Sequence, residues 1–164
     1  MIEFFKQRTK YHIELVTRNM MLMQGYGGLS VEELKNRAII HDQSKYEEPE
    51  LSGYIQLTWF HRCKNLNIPF QYANKSIETM VRDACHHHLH SNRHHPESHN
   101  HPNEMNVLDI VEMVSDWSAI SQELNQGSCI TYVKENHSKW SFNNEKLDFI
   151  FETIKEFDKR LSRL

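Results

Sequence analysis

Twelve of the chain's 164 residues are histidine, well above ordinary usage, and eight of them, His86, His87, His88, His90, His94, His95, His99 and His101, fall within sixteen positions. Asn92, Arg93, Pro96 and Glu97 interrupt the run, so it is not a contiguous tag. Upstream stand His12 and the adjacent pair His41-Asp42, with Ser44 and Lys45 just after it; downstream stand Asp109, Glu112 and Asp116. Imidazole nitrogens and carboxylate oxygens brought from separate segments are the donor set of a divalent transition metal. Mn, Fe, Co, Ni and Zn all accept such a set, so a divalent ion of unspecified identity is expected. The three acids are spaced i, i+3 and i+7 and share one face of a helix. Asp116 has Met113, Val114, Trp117 and Ile120 around it in sequence, which predicts partial burial and therefore a need for a partner.

The elements that must position these residues read as helical almost throughout, with no alternating strand pattern between turn residues. The expected fold is all-α, a single-domain bundle of six to seven helices over residues 1–164. A first helix is expected over Ile2–Met23, with Phe5, Ile13, Val16, Met20 and Met23 near one stripe, ended by the glycines at 25, 27 and 28. A second begins at Ser30, where Ser30 and Glu33 have capping-box spacing, and runs to Asp42. Residues 43–49 read as a polar break, 50–65 and 74–90 as helices, and 91–103 as a loop with two prolines. A fifth long helix is expected over 104–124, with Met105, Leu108, Val111 or Met113, and Ile120 inward. A short helix near 130–136 and a last one over 144–164 complete the chain.

Composition excludes several classes. The apolar fraction is 38%, charged residues are 25%, and glycine plus proline number only nine, which fits a globular domain and neither disorder nor a fibre. Nineteen Lys and Arg against 22 Asp and Glu leave a formal charge of -3, without the basic field that nucleic acid or an anionic membrane requires. Cys63, Cys85 and Cys129 form no CxxC pair and read as free thiols in a reducing compartment. No signal peptide and no membrane span are visible, so a cytoplasmic protein is expected.

The order His12, His41-Asp42, histidines, Asp116 resembles the H...HD...D signature of the HD-domain metal-dependent phosphohydrolase superfamily, an all-α fold. More narrowly, HDQSKY at 41–46, ACHHHLHSNRHHPE at 84–97 and EMVSDW at 112–117 resemble a small HD-like family of phage and bacterial proteins without an established substrate. The resemblance implies His12, His41, Asp42 and Asp116 as ligands of one metal. It further implies a second ion through the bridging aspartate, His88, and either His94 or His95. Neighbouring helical side chains point about 100° apart, so only one or two of His86–His88 can face a given site.

The chemistry expected of such a site is hydrolysis of a nucleotide or other small phosphate ester, because a bound cation acidifies water and polarises a phosphoryl oxygen. No glycine-rich phosphate loop is present, which leaves Lys45 and Arg93 as the cations for a substrate phosphate. His87, His94 or Glu97 is expected to carry the proton, with Lys45 beside them. Two alternatives stand beside this reading: a diiron oxygenase of HD type using His12, His41, Asp42, His88, His95 and Asp116, and a non-enzymatic module stabilised by metal.

Overall fold

The helical period becomes seven α-helices and no strand in a computed structural model that describes residues 1–164. α1 (Ile2–Leu22) buries Phe5, Thr9, His12, Val16 and Asn19, alternating steps of four and three that make one stripe of a 3.6-residue helix. That stripe packs against α2 (Val31–Ile40), α3 (Leu51–Asn65) and α5 (Val107–Glu123). α4 (Lys75–Ser91) lies on α3, and α7 (Asn144–Leu161) closes the far side of α1 and α5 after the short α6 (Ile130–Asn136). Val16, Met20, Leu34, Ile110, Val114, Ile150, Ile154 and Phe157 are part of one buried cluster between these helices. Each such side chain stabilises the fold by about 1.5–3 kcal/mol through its removal from water.

α5 is the central element. Every residue from Asp109 to Ala119 is buried, because α1, α2 and α7 all pack on it. The three acids of its stripe are therefore inside the protein, where each must be paired. Val111 and Met113 are both inward; Ile120, expected inward, is 38% exposed at the end of the helix, beyond its cover.

The helix ends also bear on the site. Ser30 and Glu33 form the reciprocal cap expected at the start of α2. α2 stops at Ile40, two residues before the expected end: His41 is extended and Asp42 is left-handed at φ 58°. Aspartate is among the few residues that tolerate this conformation. α5 starts at Val107 rather than 104, because Asn106 and Asp109 make a capping box there, each side chain bonding the other's backbone N–H. The loop between α4 and α5 contains two single 3₁₀ turns, each opened by a proline, Pro96–Ser98 and Pro102–Glu104. No helix is long and apolar enough to cross a membrane.

Candidate metal centre

Five segments converge at one buried point. α1 contributes His12; the turn after α2 contributes His41 and Asp42; α4 contributes His88; the loop after it contributes His94 and His95; α5 contributes Asp116. All are buried apart from His95, which is partly so. Imidazole Nε2 atoms surround two carboxylates. Asp42 has His88 Nε2 at 3.3 Å and His94 Nε2 at 3.7 Å from Oδ1, with His12 Nε2 at 3.7 Å and His41 Nε2 at 3.8 Å from Oδ2. Asp116 Oδ1 lies 2.8 Å from His12 Nε2 and 3.9 Å from His41 Nε2. Three overlapping donor groups result: His12, His41 and Asp42; His41, His94 and Asp116; His88, His94 and His95.

An outer ring of carboxylates stands on the other side of the His12, His41, His88 and His94 rings. Glu112 Oε1 accepts from His41 Nδ1 at 2.9 Å and lies 3.4 Å from His94 Nδ1, while Glu112 Oε2 accepts from Arg37 at 2.7 Å. Glu50 accepts from His88 Nδ1 through Oε2 and from His87 Nδ1 through Oε1, both at 2.8 Å, and Oε2 also accepts from Ser44 Oγ at 2.9 Å. Glu123 Oε1 accepts from His12 Nδ1 at 2.6 Å. A histidine whose Nδ1–H is held by a carboxylate keeps Nε2 as its lone-pair donor, the usual support of a metal-ligating imidazole.

The charges follow from these contacts. Burial alone would raise the carboxyl groups of Asp42, Glu112 and Asp116, but the basic groups around them outweigh it. Asp42 is held down by Lys45, His41 and His88, Glu112 by His41 and His94, and Asp116 chiefly by His12. All three are therefore carboxylates. Burial, reinforced by His94 and His88 nearby, pushes His95 well below the usual imidazole range, so it is neutral. His12 goes the other way: burial lowers it, yet hydrogen bonds to Asp116 and Glu123 carry it up to about 9.

The residues fit a metal ion. Of the four buried side-chain polar atoms without a hydrogen bond, three belong to this cluster: His41 Nε2, Asp42 Oδ1 and His95 Nε2. Unpaired buried donors and acceptors are costly, and each of the three residues belongs to a donor group in which a cation would satisfy it. Ligands about 2.1 Å from one ion stand roughly 3.0–3.4 Å apart in octahedral or tetrahedral geometry. Of the separations around Asp42, His88 Nε2 at 3.3 Å has that spacing and the other three, at 3.7 to 3.8 Å, are a few tenths of an ångström wider.

Other expected site residues take different places. His94, expected as a proton carrier, lies inside the cluster with His95, and both belong to donor groups. His87 is on the outer side of Glu50, its side chain 43% exposed, and belongs to none of the donor groups. Lys45 Nζ bonds Asp42 Oδ2 at 2.5 Å and lies 4.9 Å above the Tyr54 ring, so its charge is committed to the cluster's own carboxylate. Arg93 forks onto Asp109 at 2.8 and 3.1 Å, where Arg37 also bonds, tying the histidine loop to α5. Glu97 is exposed and lines a cavity that reaches His95 and Asp116. The sequence reading missed Glu50 and Glu123 and gave Glu112 no distinct role. The i+7 step from Asp116 to Glu123 continues the acidic stripe, whereas nothing local marks Glu50.

No curated protein and no solved structure matches this chain. A family model does match it, over residues 1–160, which is nearly the full length. The chain belongs to a family of unknown function (DUF5662).

Proposed function

We propose that this protein is a metal-dependent phosphohydrolase acting on a small phosphate ester, with His12, His41, Asp42, His88, His94, His95 and Asp116 as the residues that hold one or two divalent transition-metal ions. The observation that carries the metal is the unpaired trio His41 Nε2, Asp42 Oδ1 and His95 Nε2, buried among imidazoles whose far nitrogens are held by carboxylates. Support for hydrolysis comes from the H...HD...D order and from access: His95 and Asp116 also line a cavity, as a catalytic site requires and a closed structural site does not. A cation in this cluster supplies Lewis acidity toward a phosphoryl oxygen and acidifies water. The protein's own groups do the rest. The outer carboxylates hold His12, His41 and His88 by Nδ1 and so keep their Nε2 atoms in the donor form, and Glu97, exposed at the cavity, is the carboxyl placed to pass a proton.

Elemental analysis of untagged protein beside Asp42→Ala and His88→Ala, followed by phosphate release from 4-nitrophenyl phosphate and nucleoside monophosphates, tests this reading. Metal in the wild type, with metal and phosphate release lost together in Asp42→Ala, is the expected result. No metal after reconstitution with Mn, Fe, Co, Ni and Zn overturns it. Oxygen uptake by the iron-loaded protein without phosphate release turns the reading to oxidative chemistry at the same cluster.

A further inference from the structure

The cavity beside the cluster has two chemically different ends. Its volume is about 430 Å³. At one end are His95 and Asp116; the rest of its lining includes Trp117, Trp140, Tyr132 and Ile120, with Glu97 and Lys139 as the charged side chains. Trp117 and Trp140 stack at 5.1 Å, and Tyr132 stands edge-on to both, at 5.9 and 6.1 Å. Three rings from α5, α6 and the turn after α6 therefore make one aromatic wall.

Aromatic side chains clustered this way usually complete a core, and Trp117 does so, being almost fully buried. Trp140 packs partly on the same core, whereas Tyr132 and Ile120 do not. Tyr132 remains 42% exposed and Ile120 38% exposed, both lining the same cavity. A wall that is apolar, open and continuous with buried ligand-type atoms is the arrangement of a substrate pocket, in which apolar area supplies affinity and a few polar groups set orientation. The unpaired His95 Nε2 belongs to the polar end.

We infer that this cavity selects substrates carrying a planar aromatic ring, seating the ring against Trp140 and Tyr132 so that the group attached to it lies at His95 and Asp116. Lys139, exposed and lining the cavity, meets anionic substituents of that ring-bearing part. The inference rests on the phosphate-ester reading for the identity of the reacting group, but the seat for the ring stands on the aromatic wall alone. Ring burial of this kind is expected to strengthen binding by at least about tenfold, since roughly 100 Å² of apolar surface leaves water at about 25 cal/mol per Å².

The test is equilibrium binding to the metal-loaded protein of phenylphosphonate, methylphosphonate and benzyl alcohol, followed by tryptophan fluorescence and by the indole N–H signals in NMR. Phenylphosphonate is expected to bind at least tenfold more tightly than methylphosphonate, with the gap closing in Trp140→Ala and narrowing in Tyr132→Ala. Tyr132 is the more exposed, and its replacement leaves the core intact. Equal binding of the two phosphonates, or a gap that survives both substitutions, overturns the inference. If neither phosphonate binds, the phosphate reading fails by itself, and benzyl alcohol decides the seat: shifts of the Trp117 and Trp140 indole signals uphold it, and their absence overturns it.

Discussion

Glu112 Oε1 receives the Nδ1–H of His41 at 2.9 Å while Arg37 holds the other oxygen of the same carboxylate at 2.7 Å. Glu112 is thereby clamped between a cation and an imidazole, and the imidazole is turned so that Nε2 faces Asp42 and Asp116. His41 lies just past the end of α2, and this contact, together with its burial against the His94 ring at 4.4 Å, sets the direction of its ring.

Replacement of Glu112 by Gln keeps the shape and removes the charge. The neutral amide no longer compensates Arg37 and supports His41 and His94 less well, and carboxylates in this position are worth roughly 10–100-fold in metal affinity. Glu112→Gln is expected to weaken metal binding by about that factor, read by competition with a chelator of known affinity. An unchanged dissociation constant would falsify the orienting role of the outer carboxylates.

Asp42 combines a conformational and a chemical demand. Its φ of 58° is tolerated by Asp and Asn but costs an alanine roughly 1–2 kcal/mol. Asp42→Asn therefore separates the two, retaining the turn while removing the charge. Metal added at about 100 times its dissociation constant stabilises the wild type by about 2.7 kcal/mol. Thermal unfolding of Asp42→Asn is expected to show little of that metal-dependent gain, and His137→Ala, at an exposed position outside the cluster, all of it.

Gly53 links packing to the site. A Cβ at this position would lie 2.3 Å from Ala84 Cβ and 3.0 Å from the Met80 carbonyl oxygen, so α3 and α4 touch here at backbone distance. Gly53→Ala must push α4 away, and α4 carries His88. Overpacking of this kind costs about 1–3 kcal/mol, which urea unfolding will measure. Metal affinity should fall with it, while a wild-type affinity in the destabilised variant would show that α4 can shift without moving His88.

Much of this arrangement was legible in the sequence, for identifiable reasons. The stripes of α1 and α7 repeat with the helical period, so those helices can be read from their apolar residues alone, and the Ser30–Glu33 cap marks the start of α2 by spacing. His12, the His41-Asp42 pair, the histidine run and Asp116 stand out by type. The outer ring does not, because Glu50 approaches His87 and His88 only when α3 packs on α4, 37 and 38 residues away in sequence. Nor does the end of α2 at Ile40, since the turn at Asp42 depends on one residue's tolerance of a positive φ. His94 and His95 are adjacent and chemically identical in the sequence; only the fold shows both entering the cluster.

His12 supplies a proton-linked prediction. Both ring nitrogens face carboxylates, Nε2 toward Asp116 and Nδ1 toward Glu123, so the imidazolium is the form that satisfies both contacts in the metal-free protein. Burial opposes this charge, the two hydrogen bonds outweigh it, and the pKa rises from 6.5 to about 9. A pKa raised in the folded state gives stability that is fully present below 6.5 and lost as pH rises through about 9. A metal ion competes with the proton on Nε2, so binding must release that proton wherever the metal-free residue is protonated, below about pH 9. Calorimetry of metal uptake at pH 7.5 in buffers of different ionisation enthalpy is expected to show release of about one proton from this residue. Release should fade above pH 9, and in His12→Gln it should fall by the same amount at pH 7.5. Metal uptake that releases equal numbers of protons in wild type and His12→Gln would remove His12 from the ligand set.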